Sequence, residues 1–312
     1  VKRFLISRLS ALGDTVCSLP VAVSLKRTFP DAHITWVVDP RFAGVVECCR
    51  SVDEVRAVRP NWRSIPTYPD RFEAALDLQG LLKSALMVAR AKAARKVGFH
   101  WAREGAALFY ERVLPDPTSM HVVDQYVDVA RAVGAQADRA EFDLKPKEED
   151  VLAVRRKLKE RGVGGRIVIF NPGASVPEKR WPSACIAAAI EAVQSFGLQS
   201  VLIGGPGATD RQVADEVARH CAMPPASMVG ETSVRELIAL IRLASAHVGG
   251  DTGSTHIAAA MDIPAVGLYS TTRPERSCPY GQIASCHFSP DGLAHIQPDA
   301  VIATLRDILD RP

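Results

Sequence analysis

The chain lacks an excess of charge of either sign: among 312 residues, 38 lysines and arginines stand against 35 aspartates and glutamates, a formal net charge of +3. Composition alone therefore gives no reason to expect a nucleic-acid partner, and none is expected; any anionic partner must be met by local patches. Long hydrophobic runs are also missing, since no segment approaches the roughly 18 apolar residues of a membrane span. The seven cysteines (Cys17, Cys48, Cys49, Cys185, Cys221, Cys278, Cys286) are odd in number, show no C-x-x-C spacing and include an adjacent pair. That usage reads as a reducing, cytoplasmic compartment. The opening "VKRFLISRLSALGD" is basic and then apolar for only a strand's length, unlike a signal peptide. Several ligand motifs are absent too. "GGPGATD" lacks a P-loop's G-x-x-x-x-G-K-[ST], and no G-x-G-x-x-G opens either half, which argues against NTPases and nicotinamide enzymes. No D-x-D pair is present to hold a divalent metal against a diphosphate. A departing diphosphate would have to be stabilised by side-chain cations and helix ends.

What the chain does have is alternation of short apolar runs with longer amphipathic stretches. "RFLISRL", "AHITWVVD" and "AALDLQG" read as strands, with helices over Thr15–Phe29 and near Phe42–Cys49. The charged stretch "DLKPKEEDVLAVRRKLKERGVGGR" interrupts this rhythm, after which it restarts with "RIVIFNPG", a helix over Pro182–Phe196, "QSVLIGGPG", a helix over Asp210–Cys221, "AHVGGDTG" and "PAVGLYS". Ser233 and Glu236 are spaced for a capping box. The pattern predicts an α/β protein of two doubly wound, Rossmann-like domains, 1–164 and 165–312, facing each other across a cleft at the carboxyl ends of their strands. A hinge is expected near Gly162–Gly165, and the last helix, Asp299–Leu309, is a candidate to cross back to the first domain.

Three strand-to-helix turns carry the polar residues. In "SALGDT", Ser10–Thr15, Asp14 stands at a helix start. It suits an N-cap, and it equally suits a catalytic base. In "NPGASVPEKRWP", Asn171–Pro182, a broken strand is followed by Ser175, Lys179, Arg180 and Trp181. This is either a phosphate-neutralising loop or an ordinary basic surface loop. In "HVGGDTGSTHIAAAM", His247–Met261, Thr252, Gly253 and Ser254 offer hydroxyls and free N–H groups to a phosphate. Asp251 would repel a phosphate, so its use is to accept hydrogen bonds from sugar hydroxyls or backbone N–H groups. His256 either lines the pocket or packs.

These three turns, in this order, resemble the bacterial ADP-heptose:lipopolysaccharide heptosyltransferases, glycosyltransferase family 9, over most of the chain. Two further stretches, "LDLQGLLKSALMVAR" and "WAREGAALFYERV", are similar to the branch of the family that adds the first heptose to the Kdo sugar of lipid A. The resemblance implies a GT-B fold and an inverting transfer of heptose from ADP-heptose to the Kdo-lipid A acceptor, with no cofactor and no obligatory metal. It implies that Asp14 is the general base and that Lys179 steadies the departing diphosphate. Ser10, Ser175, Arg180, Thr252 and Gly253 would lie around the donor, Asp251 would contact the heptose, and His256 completes the motif. Adenine and ribose would lie near Gly205, Asp210 and Thr232, and Arg59, Arg63, Lys83 and Arg103 would face the acceptor. Ala174 departs from the family, which often has a hydroxyl there.

Between Leu81 and Arg112, Lys83, Arg90, Lys92, Arg95, Lys96, Arg103 and Arg112 stand against only Glu104 and Glu111. Such a cluster suits an anionic glycolipid and a transient, peripheral visit to the inner-membrane surface. The rival readings are a transferase acting on an already heptosylated acceptor, a sugar-nucleotide binder that transfers nothing, and an oxidoreductase on the same scaffold.

Overall fold

The computed structural model describes residues 1–59, 65–173 and 179–310. The chain divides into two compact units, Val1–Lys145 and Pro146–Pro312. In the first, the order is β1 (Arg3–Ser7), α1 (Leu12–Thr28), β2 (His33–Val38), α2 (Ala43–Glu47), β3 (Glu54–Ala57), β4 (Arg71–Asp77), α3 (Leu82–Ala89), β5 (Lys92–Phe99), β6 (Glu111–Val113) and α4 (Val122–Ala132). The second contains α5 (Glu148–Glu160), β7 (Ile167–Asn171), α6 (Ser183–Ser195), β8 (Gln199–Leu202), α7 (Ala208–His220) and β9 (Ala226–Ser227). It continues through α8 (Val234–Arg242), β10 (Ala246–Gly250), α9 (Gly253–Ala260), β11 (Ala265–Tyr269), α10 (Pro274–Ser277), β12 (Cys286–Phe288) and α11 (Pro298–Leu309).

Among the described residues each unit holds one six-stranded sheet, in the orders β3-β2-β1-β4-β5-β6 and β12-β11-β10-β7-β8-β9. All the pairings are parallel. Counted from its own first strand, the second sheet repeats the order of the first. Both therefore reverse direction beside their first strand, between β1 and β4 and between β7 and β10. The central strands are covered on both faces: Phe4, Leu5, Ile6 and Ser7 of β1 and all of β10 are buried. This is why they read as unbroken apolar runs rather than as alternation.

The helix starts follow local chemistry. Ser233 Oγ accepts from Glu236 N at 3.2 Å, and Glu236 Oε2 accepts from Ser233 N at 2.8 Å, closing the capping box expected before α8. The inter-unit boundary falls at 145/146, earlier than the expected 164. The reason is α5, which packs on α8 with Val154 and Leu158 buried. Its acidic first turn pairs Glu149 and Asp150 with Arg235, and Lys157 pairs with Glu236 at 2.6 Å. Gly162–Gly165 therefore lie inside the second unit, where Gln199 Oε1 accepts from Gly164 N and Gly165 N. The last helix, α11, packs on α6 and on β10 and β11 of its own unit. No helix among the described residues is long and apolar enough to cross a membrane.

If α5 belongs to the second core, a fragment of residues 146–312 should unfold in one cooperative transition, and a fragment starting at 165 should be less stable. Losing the burial of Val154 and Leu158 against α8, at about 1.5–3 kcal/mol each, gives an expected loss of roughly 3–6 kcal/mol. Urea titration of the two fragments measures it, and equal midpoints would contradict the placement.

Candidate active site

Both switch points place polar side chains at the carboxyl edge of their sheet. In the first unit, Ser7 is in register with Asp77 across β1 and β4. One residue further on, Arg8 is buried to 5% exposure, an expensive place for a charge unless it is paired. Its Nη1 donates to Leu78 O, its Nη2 forms a 2.6 Å ion pair with Asp14 Oδ2, and its guanidinium lies 5.5 Å from the Tyr126 ring. Burial alone would lower the pKa of Arg8. The fields of Tyr126, Asp14 and Asp77 reverse that and hold it above its ordinary value.

Asp14 is the third residue of α1, and its side chain is 51% exposed. It is not the N-cap, which is Ala11, but its Oδ2 reaches back to accept from Ala11 N at 3.4 Å. The turn is tied down from β4: Gln79 Oε1 accepts from Leu9 N at 2.9 Å, and Gln79 Nε2 donates to Ser10 Oγ at 3.2 Å. Beneath it, Asp77 accepts from Gln79 N, Gly80 N and Ser84 Oγ. Burial pushes its carboxyl up to about 6 despite these hydrogen bonds.

In the second unit, Asn171 at the end of β7 joins the two switch-point turns. Its Nδ2 donates to Ser254 Oγ at 2.8 Å and to Thr252 Oγ1 at 3.2 Å, and its Oδ1 accepts from Gly173 N at 3.1 Å. Thr252 is the N-cap of α9, so the first N–H groups of that helix face outward without intrahelical partners. Hydroxyls and free amides gathered in this way are the groups that an anion can use. A Cβ on Gly249 would lie 2.9 Å from His247 Cε1 and 3.3 Å from both Asn171 Cβ and Thr255 Oγ1, so only glycine lets these three groups meet.

Asp251 Oδ1 lies 3.2 Å from His256 Nε2. Burial would raise the carboxyl of Asp251, but the hydrogen bond and charge of His256, with Thr272 and Lys179 behind them, hold it below its ordinary value. Lys179 Nζ donates to Thr272 Oγ1 at 3.4 Å. The lysine also lines a pocket with Asn171, Pro172 and Gly250 over Trp181 and Leu268.

The other expected residues divide clearly. The carboxylate of Asp210 sits in a notch against Gly173, Gly204 and Gly205, where a Cβ on Gly173 would come within 2.5 Å of Asp210 Oδ1. Asp210 is thus joined to the edge that carries Asn171, with Gly205 beside it. Gly230, two residues before Thr232, abuts Pro206 and Arg211. Arg180 is half-buried beside Lys179, whereas Ser175 and Arg63 fall outside the described residues.

Arg103 is exposed, lies over the Trp101 ring at 4.8 Å and donates its backbone N–H to Gly80 O, so it stands at the carboxyl edge. Lys83 stands there too: after Arg41, it is among the groups that hold the Asp39 carboxyl below the usual range. Arg59 is exposed past β3. The basic cluster does not hold together as one face. α3 carries the chain back, so Arg90 and Lys92 lie at the opposite, amino edge, while Arg95 donates to Ala132 O and pairs with Glu111, and Lys96 donates to Ala89 O.

Sequence reading missed Arg8, Asp77, Gln79, Asn171, His247 and Thr272. Only Arg8 had a local signal, a charge closing an apolar strand just before the Gly13–Asp14 turn. Among the described residues, no group of three or more His, Cys, Asp or Glu is placed to hold a metal ion.

A family model described as glycosyltransferase family 9 (heptosyltransferase) matches residues 68–295. Lipopolysaccharide heptosyltransferase 1 of Salmonella typhimurium is 28% identical over 97% of this chain and 99% of its own length. Lipopolysaccharide core heptosyltransferase OpsX of Haemophilus influenzae is 24% identical over 90% of this chain and 83% of its own. Among solved structures, a glycosyl transferase family 9 protein from Veillonella parvula superimposes with a TM-score of 0.87 at 21% identity, covering 99% of this chain and 97% of that one. E. coli heptosyltransferase WaaC with ADP gives 0.78 at 24% identity, covering 98% and 99%. The two sheets thus belong to the GT-B fold of these enzymes.

His247 lies behind Ser254. It is fully buried, and its Nε2 lies 3.0 Å from Ser254 Oγ. Burial, and after it the charge of His256, pushes its imidazole down to about 3. The unfolded chain takes up this proton as pH falls below about 6.5, whereas the folded chain does not until about 3, so acid lowers stability through that window. Between about pH 6 and about pH 4.5, the wild type should lose about 2 kcal/mol more than His247→Gln. Urea titration at the two pH values is the measurement, and parallel losses would refute the buried neutral histidine.

Proposed function

The chain belongs to glycosyltransferase family 9, the heptosyltransferases, and from that premise we propose an inverting transfer of heptose from ADP-heptose to the Kdo sugar of lipid A. The coarser statement, a heptosyltransferase of lipopolysaccharide core biosynthesis, follows from the family and the curated relatives. The finer one is supported above all by the joined turns at Asn171, Thr252 and Ser254 beside Lys179, a site suited to a diphosphate with a sugar acceptor, Asp251, next to it. A relative of this fold was solved with ADP-2-deoxy-2-fluoro heptose.

In this reading Oδ of Asp14 takes the proton of the acceptor hydroxyl as its oxygen bonds to the anomeric carbon. The bond from that carbon to the diphosphate oxygen breaks at the same time, and its electron pair leaves with ADP. One displacement inverts the centre. The ammonium of Lys179 leaves Thr272 to meet the growing phosphate charge, joined by Arg180, Ser175 and the first N–H groups of α9, and no obligatory metal or cofactor is called on. Asp251, oriented by His256, accepts from heptose hydroxyls, and Asp210 in its glycine notch accepts from the ribose, with Gly205 and Thr232 nearby. Ser10 lies in the turn that holds Asp14. Arg59, Arg63, Lys83 and Arg103 would meet the phosphates and carboxylates of the acceptor at the cytoplasmic face of the inner membrane.

Asp14→Ala should lower kcat by roughly 10²–10⁴-fold while ADP-heptose binding is kept; full transfer activity would remove the base. Lys179→Met should lower kcat by roughly 10²–10³-fold, and a change confined to KM would deny it the leaving-group role. ADP release with Kdo-lipid A, and separately with the heptosylated acceptor, tests the acceptor. Activity with the heptosylated acceptor alone would make the enzyme a second-heptose transferase, and binding of ADP-heptose without any transfer would leave a sugar-nucleotide binder.

A further inference from the structure

We infer that Arg8 is a positioning residue for the transfer, fixing Oδ2 of Asp14 so that Oδ1 is the oxygen that takes the acceptor proton. The inference rests on the reading of Asp14 as the base. Two donors converge on Oδ2, the buried Nη2 of Arg8 at 2.6 Å and Ala11 N at 3.4 Å. Among the described residues no hydrogen bond reaches Oδ1.

Of the other guanidinium nitrogens, Nε is buried without a hydrogen-bond partner among the described residues. Nη1 is held by Leu78 O, and Tyr126 lies under the guanidinium plane. The neighbouring Asp77 already accepts from Gln79 N, Gly80 N and Ser84 Oγ. The exposed carboxylate of Asp14 is therefore the group to which the buried charge is directed. A purely stabilising part could be filled by an apolar side chain of similar volume, since burying an ion pair costs about what it returns. The geometry gives the charge a directional use instead. A carboxylate tied through one oxygen cannot spin away from the incoming hydroxyl, and protonation at Oδ2 would break the ion pair. The acceptor proton goes to Oδ1, the O–H bond electrons form the new bond to the anomeric carbon, and Arg8 keeps its hold on Oδ2 throughout.

The test compares Arg8→Met and Arg8→Gln, which remove the charge, with Arg8→Lys, which keeps it, and with Asp14→Asn. kcat, KM and melting temperature are measured for each. Both neutral variants should lose roughly 30- to 300-fold in kcat with the donor KM within about twofold, and Arg8→Lys should recover at least about tenfold of that loss. Wild-type kcat in a folded neutral variant, a loss seated in the donor KM, or no recovery with lysine would overturn the inference. A readout independent of how the Arg8 variants fold is arginine side-chain nitrogen NMR of the wild type and Asp14→Asn. Distinct Nη signals from Arg8 should merge once its anchor is neutral, and signals that do not respond would also overturn it. The two readings fail separately. Full transfer by Asp14→Asn removes the base itself, whereas transfer lost there but intact in Arg8→Met removes only the part given to Arg8.

Discussion

A parallel sheet brings every strand-to-helix turn out at the same edge, and where the strand order reverses, two such turns diverge and leave a crevice. Both sheets of this chain have that reversal beside their first strand. The constraint decides which residues can meet. Leu9 and Ser10 come from the turn after β1 and their tether Gln79 from the turn after β4; Asn171 ends β7, and Thr252 follows β10. Residues about seventy to eighty apart in sequence become hydrogen-bonded neighbours in each unit because the topology, not local sequence, sets the distance.

The two edges expose their carboxylates to different degrees. In the first unit the cation is buried and the carboxylate exposed: Arg8 lies under the turn and Asp14 reaches outward. In the second, both partners are enclosed: the Asp251 side chain is 20% exposed and that of His256 9%, and His256, with Lys179 behind it, holds the carboxyl below its ordinary value. An exposed carboxylate above a buried cation is accessible to a proton-bearing substrate. An enclosed carboxylate with satisfied neighbours is a fixed acceptor, suited to reading hydroxyl positions.

Much of this was legible in the sequence. The strands, the capping box before α8 and the three chemistry-bearing turns all follow from hydrophobic period and local turn chemistry, and the observed helices start and stop within a few residues of the expected ones. The domain boundary was not legible, because the amphipathic stretch of α5 shows that it packs but not on what; its ion pairs to Arg235 and Glu236 lie about eighty residues away. The basic cluster failed for a similar reason. Spacing along the chain could not show that α3 carries Arg90 and Lys92 to the opposite edge, or that Arg95 and Lys96 are spent on carbonyls. The same holds for Asn171, an unremarked residue at a strand end whose role appears only once β7 and β10 are adjacent.

That adjacency also explains why the first glycine of "HVGGDTG" matters beyond the turn itself. Gly249 gives up its side chain so that His247, Asn171 and Thr255 can close on one another. Asn171 Nδ2 then spends its protons on Ser254 and Thr252, whose own hydroxyl protons are left for the contacts among Thr252, Ser254 and Thr255, while the Thr255 hydroxyl donates to Gly250 O. A neutral His247 behind Ser254 fits this arrangement. A protonated ring would press a second charge against His256 and would have to donate to Ser254 Oγ. Hydroxyls whose orientation is set in advance lose little freedom on meeting an anion, and such preorganisation is what lets a short turn stabilise charge. Gly249 and the buried histidine thus belong to the same hydrogen-bonded cluster as Thr252.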